Sequence, residues 1–310
     1  MTRREVLFYT AILAVLGAGW GITQPLSKIA VSTGYKHFGL VFWQLAIGAA
    51  VLSLIAVVRG TGFPREARHI RLYVIIALIG TILPNSAGYQ AAVHLPSGIL
   101  SLLLSMVPMW AFPIALLLGN DSFSPRRLYG LLAGLAGVLL IMTPGLSLPD
   151  GVALHWVLVG LVSSVFYAFE GNYVAKWGTE GLDTAQVLTG ASLVGTVLAF
   201  PIAVFSDQFI APVNLAVTTA GQALVVTALV HVAVYTAYVW LVGRTGAVFT
   251  AQVSYLVTGF GILWAKLILD ESYSPFVWVA LGSMFLGMYL VQPRPKAALA
   301  ALSPTGDTRR

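Results

Sequence analysis

Ten apolar stretches, each near the length that crosses a lipid bilayer, leave this chain little choice of fold. They run over roughly 7–31, 38–58, 70–93, 97–118, 126–143, 153–175, 184–206, 218–242, 247–268 and 275–292 of its 310 residues. Gly, Pro, Asp and Ser fill the short connections, and no soluble domain fits between them. The chain is 58% hydrophobic and 9% charged, where a soluble domain carries about 25% charged residues. A surface so poor in charge is solvated by lipid. The predicted fold class is an all-α integral membrane protein with ten transmembrane helices. The first stretch, Leu7 to Val31, outruns the apolar region of a signal peptide and reads as a retained helix. The tail after Val291, rich in Pro, Ala and basic residues, reads as loose and solvated.

Lysine and arginine near the helix ends set the expected orientation. With the N-terminus in the cytoplasm, the inner side holds Arg3, Arg4, Arg59, Arg65, Arg68, Arg71, Arg126, Arg127, Lys176, Arg244, Arg294, Lys296, Arg309 and Arg310. The outer side then holds only Lys28, Lys36 and Lys266. Both termini are expected inside, in a multi-pass protein of the cytoplasmic (inner) membrane.

The phrase DSFSP, Asp121 to Pro125, returns as ESYSP, Glu271 to Pro275, 150 residues on. Five spans separate the copies, an odd number, so they face opposite sides of the membrane. Arg126 and Arg127 follow the first copy, while Phe276 and Val277 follow the second. Gly137 and Gly287 keep the same offset, and Lys28 and Lys176 keep one of 148. The expected organisation is an inverted five-plus-five repeat: residues 1–148, residues 149–293, and a cytoplasmic tail at 294–310. Locally, each phrase reads as a helix start, with Ser as cap and Pro in the first turn. Inverted repeats are a mark of secondary transporters, with substrate held near the midplane between the halves.

The first helix reads GWGITQPLSKIAV, and His94 to Leu140 runs through a Pro-containing fourth helix, an acid and a Gly-spaced fifth helix. In these segments the chain resembles the EamA-like ten-helix branch of the drug/metabolite transporter superfamily. The resemblance implies export of a small metabolite, often an amino acid. Many relatives carry an Arg in the second helix where this chain has Gln44, so a fixed positive charge for an anionic substrate is missing.

An ionisable residue within a span is costly and is a functional candidate by default. Glu170, in the sixth span, can take a proton or an ammonium group. His231, in the eighth, shares a helix face with Tyr235 and Tyr238 and titrates near neutrality. Glu170 and His231 are the candidates for proton coupling. Asn85 and Tyr89 lie with Thr81 and Gly88 on a polar face of the third span, beside Pro84. Trp20 and Gln24 stand one turn apart in the first. Gln252 and Tyr255 precede a TGFG stretch in the ninth. The expected substrate-binding set is Trp20, Gln24, Asn85, Tyr89, Glu170, His231, Tyr235, Gln252 and Tyr255. For each, polar packing between helices is the competing explanation. Ser101 and Ser105, and prolines 108 and 113, mark the fourth span. Lys28, Lys176 and Lys266, near span ends, read as structural, the last with Asp270 one turn on. Trp156, Trp177, Trp240 and Trp278 read as interfacial anchors.

There is no cysteine, which excludes disulfides and thiolate metal sites. No phosphate-binding Gly-rich loop and no H-E-x-x-H occur, so no cofactor, no metal site and no enzymatic activity are expected. The leading expectation is a secondary active exporter of a small polar or zwitterionic metabolite, working by alternating access and driven by protons or by the substrate's own gradient. Exchange of phosphorylated or nucleotide-linked sugars is the second reading, weakened by the lack of mid-span Lys or Arg. A membrane receptor or scaffold is a third. The expected partners are a small-molecule substrate and the bilayer, with no nucleic acid. Gly-spaced faces such as Gly17/Gly21 and Gly130/Gly134 serve folding and dimerisation alike, so a homodimer stays open.

Overall fold

The computed structural model describes residues 3–143, 153–245 and 252–291. Residues 247–251 of the ninth expected span, the junction between the expected halves and the 294–310 tail with its basic residues lie outside them. All regular structure in the described residues is helical. The helices are α1 (Arg3–Val31), α2 (His37–Arg59), α3 (Ala67–Ala77), α4 (Leu83–His94), α5 (Ser97–Leu104), α6 (Val107–Leu118) and α7 (Pro125–Met142), then α8 (His155–Trp177), α9 (Thr184–Phe205), α10 (Pro212–Val217), α11 (Thr219–Thr245), α12 (Val253–Leu269) and α13 (Pro275–Val291). Eight helical segments are long and apolar enough to cross a membrane, and α12 and α13 are shorter apolar helices.

Two expected spans are broken. A π-helical turn, Leu78–Ile82, joins α3 to α4 just before Pro84. Proline has no N–H to offer the preceding turn and its ring crowds the carbonyl four residues back, so the chain widens there. The fourth span divides at Ser105 and Met106, ahead of Pro108 in the first turn of α6. The TGFG stretch does not unwind: α12 is continuous, and Gly261 approaches Gly21 so closely that a Cβ on Gly21 would lie 2.9 Å from the Gly261 nitrogen. Small residues at such crossings let backbones meet.

Hydrogen bonds between helix ends define two faces. On the face where α1 ends, the far face, Tyr35 meets Thr218, the Phe38 N–H donates to Gln208 and the Lys28 ammonium reaches the end of α4. Where α1 begins, the near face, Asn120 donates to the Asn172 carbonyl and Gln186 to that of Gly62. Helices α7 and α13 cross antiparallel: Gly130 faces Gly287 and Leu290, and Ser283 donates to the Ala133 carbonyl at 2.7 Å. The two copies of the repeated phrase, preceding α7 and α13, lie on opposite faces.

Their capping differs from expectation. Ser124, at the N-cap of α7, makes no capping bond with its side chain. Asp121 instead pairs with Arg127 and accepts from the Ser122 N–H. Glu271 does cap a helix, but another one: it accepts from the Ser97 and Gly98 N–H groups at 2.8 and 3.2 Å, at the start of α5. The free N–H groups of a helix start favour a carboxylate, and α5 offers two where its Pro96 cap brings no side-chain acceptor.

Candidate substrate cavity

The helices enclose a cavity of about 410 Å³ between the midplane and the near face. Its wall takes Trp20 and Gln24 from α1, Gln44 and Gly48 from α2, Gly80 and Thr81 from the π-helical turn, Tyr167 and Glu170 from α8, and His231, Tyr235 and Tyr238 from α11. A smaller cavity of about 100 Å³ lies on the far side of these groups and adds Ser27, Asn85, Tyr89, Ser163 and Thr227. Thr23, Gln24, Gln44, Leu104, Tyr167 and His231 line both, so they form the partition.

The partition is hydrogen-bonded. The Tyr167 hydroxyl donates to Asn85 Oδ1. Asn85 Nδ2 donates to Gln44 Oε1 at 3.1 Å, and the Tyr89 hydroxyl donates to the same oxygen at 3.1 Å. Ser163 donates to the Pro84 carbonyl at 2.6 Å, satisfying a group of the distorted third span. Helix α8 thus joins the expected second half to helices of the first.

The near side of the cavity is aromatic. Trp20 lies 6.2 Å from Tyr235 and 5.2 Å from Tyr238, centroid to centroid, and 6.4 Å from His231. The shared face of His231, Tyr235 and Tyr238 follows from their helical spacing and is the face turned to α1. Glu170 stands against the π-helical turn. A Cβ on Gly80 would lie 2.6 Å from its carboxyl carbon, so only glycine leaves it this position. Among the described residues lining either cavity there is no Lys or Arg; the acidic group is Glu170 and the imidazole is His231.

Seven of the nine expected binding residues therefore line the cavities: Trp20, Gln24, Asn85, Tyr89, Glu170, His231 and Tyr235. Gln252 and Tyr255 do not. The cavity face of α12 is Val253, Ser254, Val257 and Thr258, and a helical period turns position 255 away from it. The Tyr255 ring instead meets Phe285 at 5.6 Å. Ser101 and Ser105 are buried and bond to carbonyls of their own segment. Sequence reading missed Tyr167, whose position one turn before Glu170 was a usable signal, and Gln44 as a lining group.

Beyond the small cavity, the far face is held by charged contacts. Lys28 Nζ donates to the carbonyls of Ala92, Val93 and Leu95 at 2.7–3.1 Å. Glu271 holds the other end of the same α4–α5 connection, and Tyr273 donates to Glu271 at 2.5 Å. Burial and this bond to Glu271 push the Tyr273 phenol well above its ordinary value. On the near face Lys176 donates to the Leu118 carbonyl at 2.8 Å, closing the end of α6. Lys266 makes no ion pair with Asp270 among the described residues; it lies over the Trp278 ring. Of the expected anchors, Trp177, Trp240 and Trp278 are exposed, while Trp156 stacks on His94 at 3.8 Å.

A bundle of apolar helices around a polar cavity, with the hydrogen bonds of Lys28 and Glu271 tying the helix ends at one face, has the build of a membrane carrier. The chain belongs to the EamA-like transporter family, whose sequence model matches residues 8–143 and again residues 154–292. It is thus a membrane transporter of the drug/metabolite type. It is 24% identical, over 94% of its length and 93% of the relative's, to the uncharacterized transporter YvbV of Bacillus subtilis (strain 168). It also shares its fold with a solved crystal structure at a TM-score of 0.62 and 17% identity, covering 97% of this chain and 100% of that one.

Proposed function

We propose that this protein is a secondary active transporter that exports a small polar or zwitterionic, amino-acid-like metabolite across the cytoplasmic membrane. The observation that carries the reading is the charge of the cavity wall: one carboxylate, one imidazole and no Lys or Arg among its described residues. Such a wall favours an ammonium group beside Glu170 and the aromatic rings, which stabilise cations through their faces. It offers a phosphorylated sugar no countercharge. Trp20, Gln24, Asn85, Tyr89 and Tyr235 complete the substrate contacts, and Glu170 and His231 carry proton coupling.

Movement is by alternating access in ten transmembrane helices arranged as an inverted five-plus-five repeat, with both termini cytoplasmic. Support comes from the double family match, from the repeated phrase lying on opposite faces and from the excess of Lys and Arg on the near side. The test compares the growth media of cells producing the parent chain and Glu170→Gln at equal membrane levels, by untargeted metabolite profiling. The expected result is one amine-bearing compound class outside only with the parent. Equal export by both chains removes Glu170 from the mechanism, and a rise of internal pools reverses the direction of transport.

A further inference from the structure

Gln44 is held by one end of its amide. Its Oε1 accepts two hydrogen bonds, from Asn85 Nδ2 and from the Tyr89 hydroxyl, and a carbonyl oxygen has two lone pairs to give. Asn85 is itself fixed, because its Oδ1 takes the Tyr167 hydroxyl. Turning either amide alone would set two donors or two acceptors against each other at the Gln44–Asn85 contact. The Gln44 Nε2 hydrogens are directed away from these donors, and Gln44 lines both cavities. Gln24 and His231 share that partition, and both can donate.

We propose that Gln44 is a specificity-determining residue, whose amide nitrogen receives the carboxylate of a substrate that also carries an ammonium group; this assignment rests on the transport function proposed above. The cavity is then bipolar. Glu170 and the aromatic wall meet the cationic end, and a neutral donor set at the partition meets the anionic end. Neutrality of that set matters. A guanidinium in place of Gln44 would pair with Glu170 across the cavity or hold an anion outright. An amide recognises a carboxylate only as a hydrogen-bond acceptor, and releases it without separating a salt bridge. A site built to pair with a polar group discriminates strongly against analogues that lack it, because its own donors are left unpaired.

The test uses the purified full-length chain, the L-amino acids, and the amines formed by their decarboxylation. Binding is read from thermal stabilisation in detergent and transport from counterflow in proteoliposomes. Gln44→Glu is the decisive variant. One carboxylate oxygen still serves Asn85 and Tyr89, while the other replaces the donor with an acceptor. The parent is expected to prefer an amino acid to its matching amine. In Gln44→Glu the affinity for that amino acid should fall about 10–100-fold, with the amine bound as well as before. Should this variant not fold, Gln44→Met removes the amide donor at similar side-chain length and should likewise weaken the amino acid selectively. The assignment is overturned when the parent binds amine and amino acid alike, or when Gln44→Glu holds the amino acid within about threefold of the parent. In either case amine binding lost in Glu170→Gln leaves the transport reading standing. Absence of both binding and counterflow for both probe classes defeats the two together.

Discussion

Glu271→Gln should open the far face. The carboxylate of Glu271 accepts two backbone N–H bonds at 2.8 and 3.2 Å, and the Tyr273 hydroxyl as well. Hydrogen bonds to a charged acceptor contribute about 1.5–3 kcal/mol each, against about 0.5–1.5 for neutral pairs. Glutamine keeps one acceptor oxygen, turns an N–H donor toward the remaining N–H, and removes the charge from the start of α5. The cost to the closed arrangement, discounted for partial exposure, is about 1.5–2 kcal/mol. Since 1.4 kcal/mol is a factor of ten, the population open at the far face should rise about 10–30-fold.

The cysteine-free chain provides the assay. Ser27→Cys places one thiol in the wall of the small cavity, and a membrane-impermeant maleimide is applied to right-side-out and inside-out vesicles. Labelling from the far face should quicken by the stated factor in the Glu271→Gln background, and the preparation that shows it reports the orientation of the chain. An unchanged or slower rate from both sides refutes the assignment of Glu271 as a closing contact.

Asp121→Asn is the natural contrast. Its carboxylate pairs with Arg127 on the near face, so the same labelling rate should move less than about twofold. Gly80→Ala should displace the Glu170 carboxyl and reduce substrate flux nearly as far as Glu170→Gln, while a melting scan shows the fold retained; flux at the parental level contradicts the role of the π-helical turn. Gly130→Val should press on the Gly287 carbonyl, which a Cβ would approach to 2.8 Å, and destabilise the α7–α13 crossing by about 1–3 kcal/mol, read as a lower melting temperature. Tyr273 has its pKa raised in the fold above 10.0. Its neutral form is thus favoured by folding, so its contribution is complete below pH 10 and is lost as pH rises above it. The ratio of far-face labelling in the Ser27→Cys chain to that in the same chain carrying Tyr273→Phe, in which the pH dependence of the thiolate cancels, should therefore stay constant to about pH 10 and rise beyond.

The spans were legible because lipid imposes one rule on every stretch that crosses it, and α1, α2, α5 with α6, and α9 follow the expected bounds closely. The cavity residues were half legible. Glu170 and His231 announce themselves as ionisable groups in apolar surroundings, and helical spacing ties His231 to Tyr235. What periodicity cannot supply is the rotation of a helix about its axis. Tyr255 and Ser254 are neighbours in sequence, yet only Ser254 reaches the cavity. Gln44 was visible as a departure from relatives, but its partners lie 41 and 45 residues away in the chain. The same holds for Glu271, whose own phrase suggests a local cap while the backbone N–H groups it accepts from belong to residues 97 and 98.

The family model finds two copies of itself in the chain, but the copies are not two bodies. The Trp43 indole donates to the Ile210 carbonyl, the Trp264 indole to that of Ala18, and Lys28 and Glu271 meet at a single connection. Partners of one copy are made of the other. During synthesis the first five apolar segments therefore leave the ribosome with the Trp43 indole and the Phe38, Ser97 and Gly98 amide groups, whose acceptors do not yet exist. Until α8 to α13 follow, those groups must be sheltered by water, lipid headgroups or an insertion factor. Biogenesis of this protein is for that reason a problem of waiting, and its yield should depend on how quickly the second copy is translated.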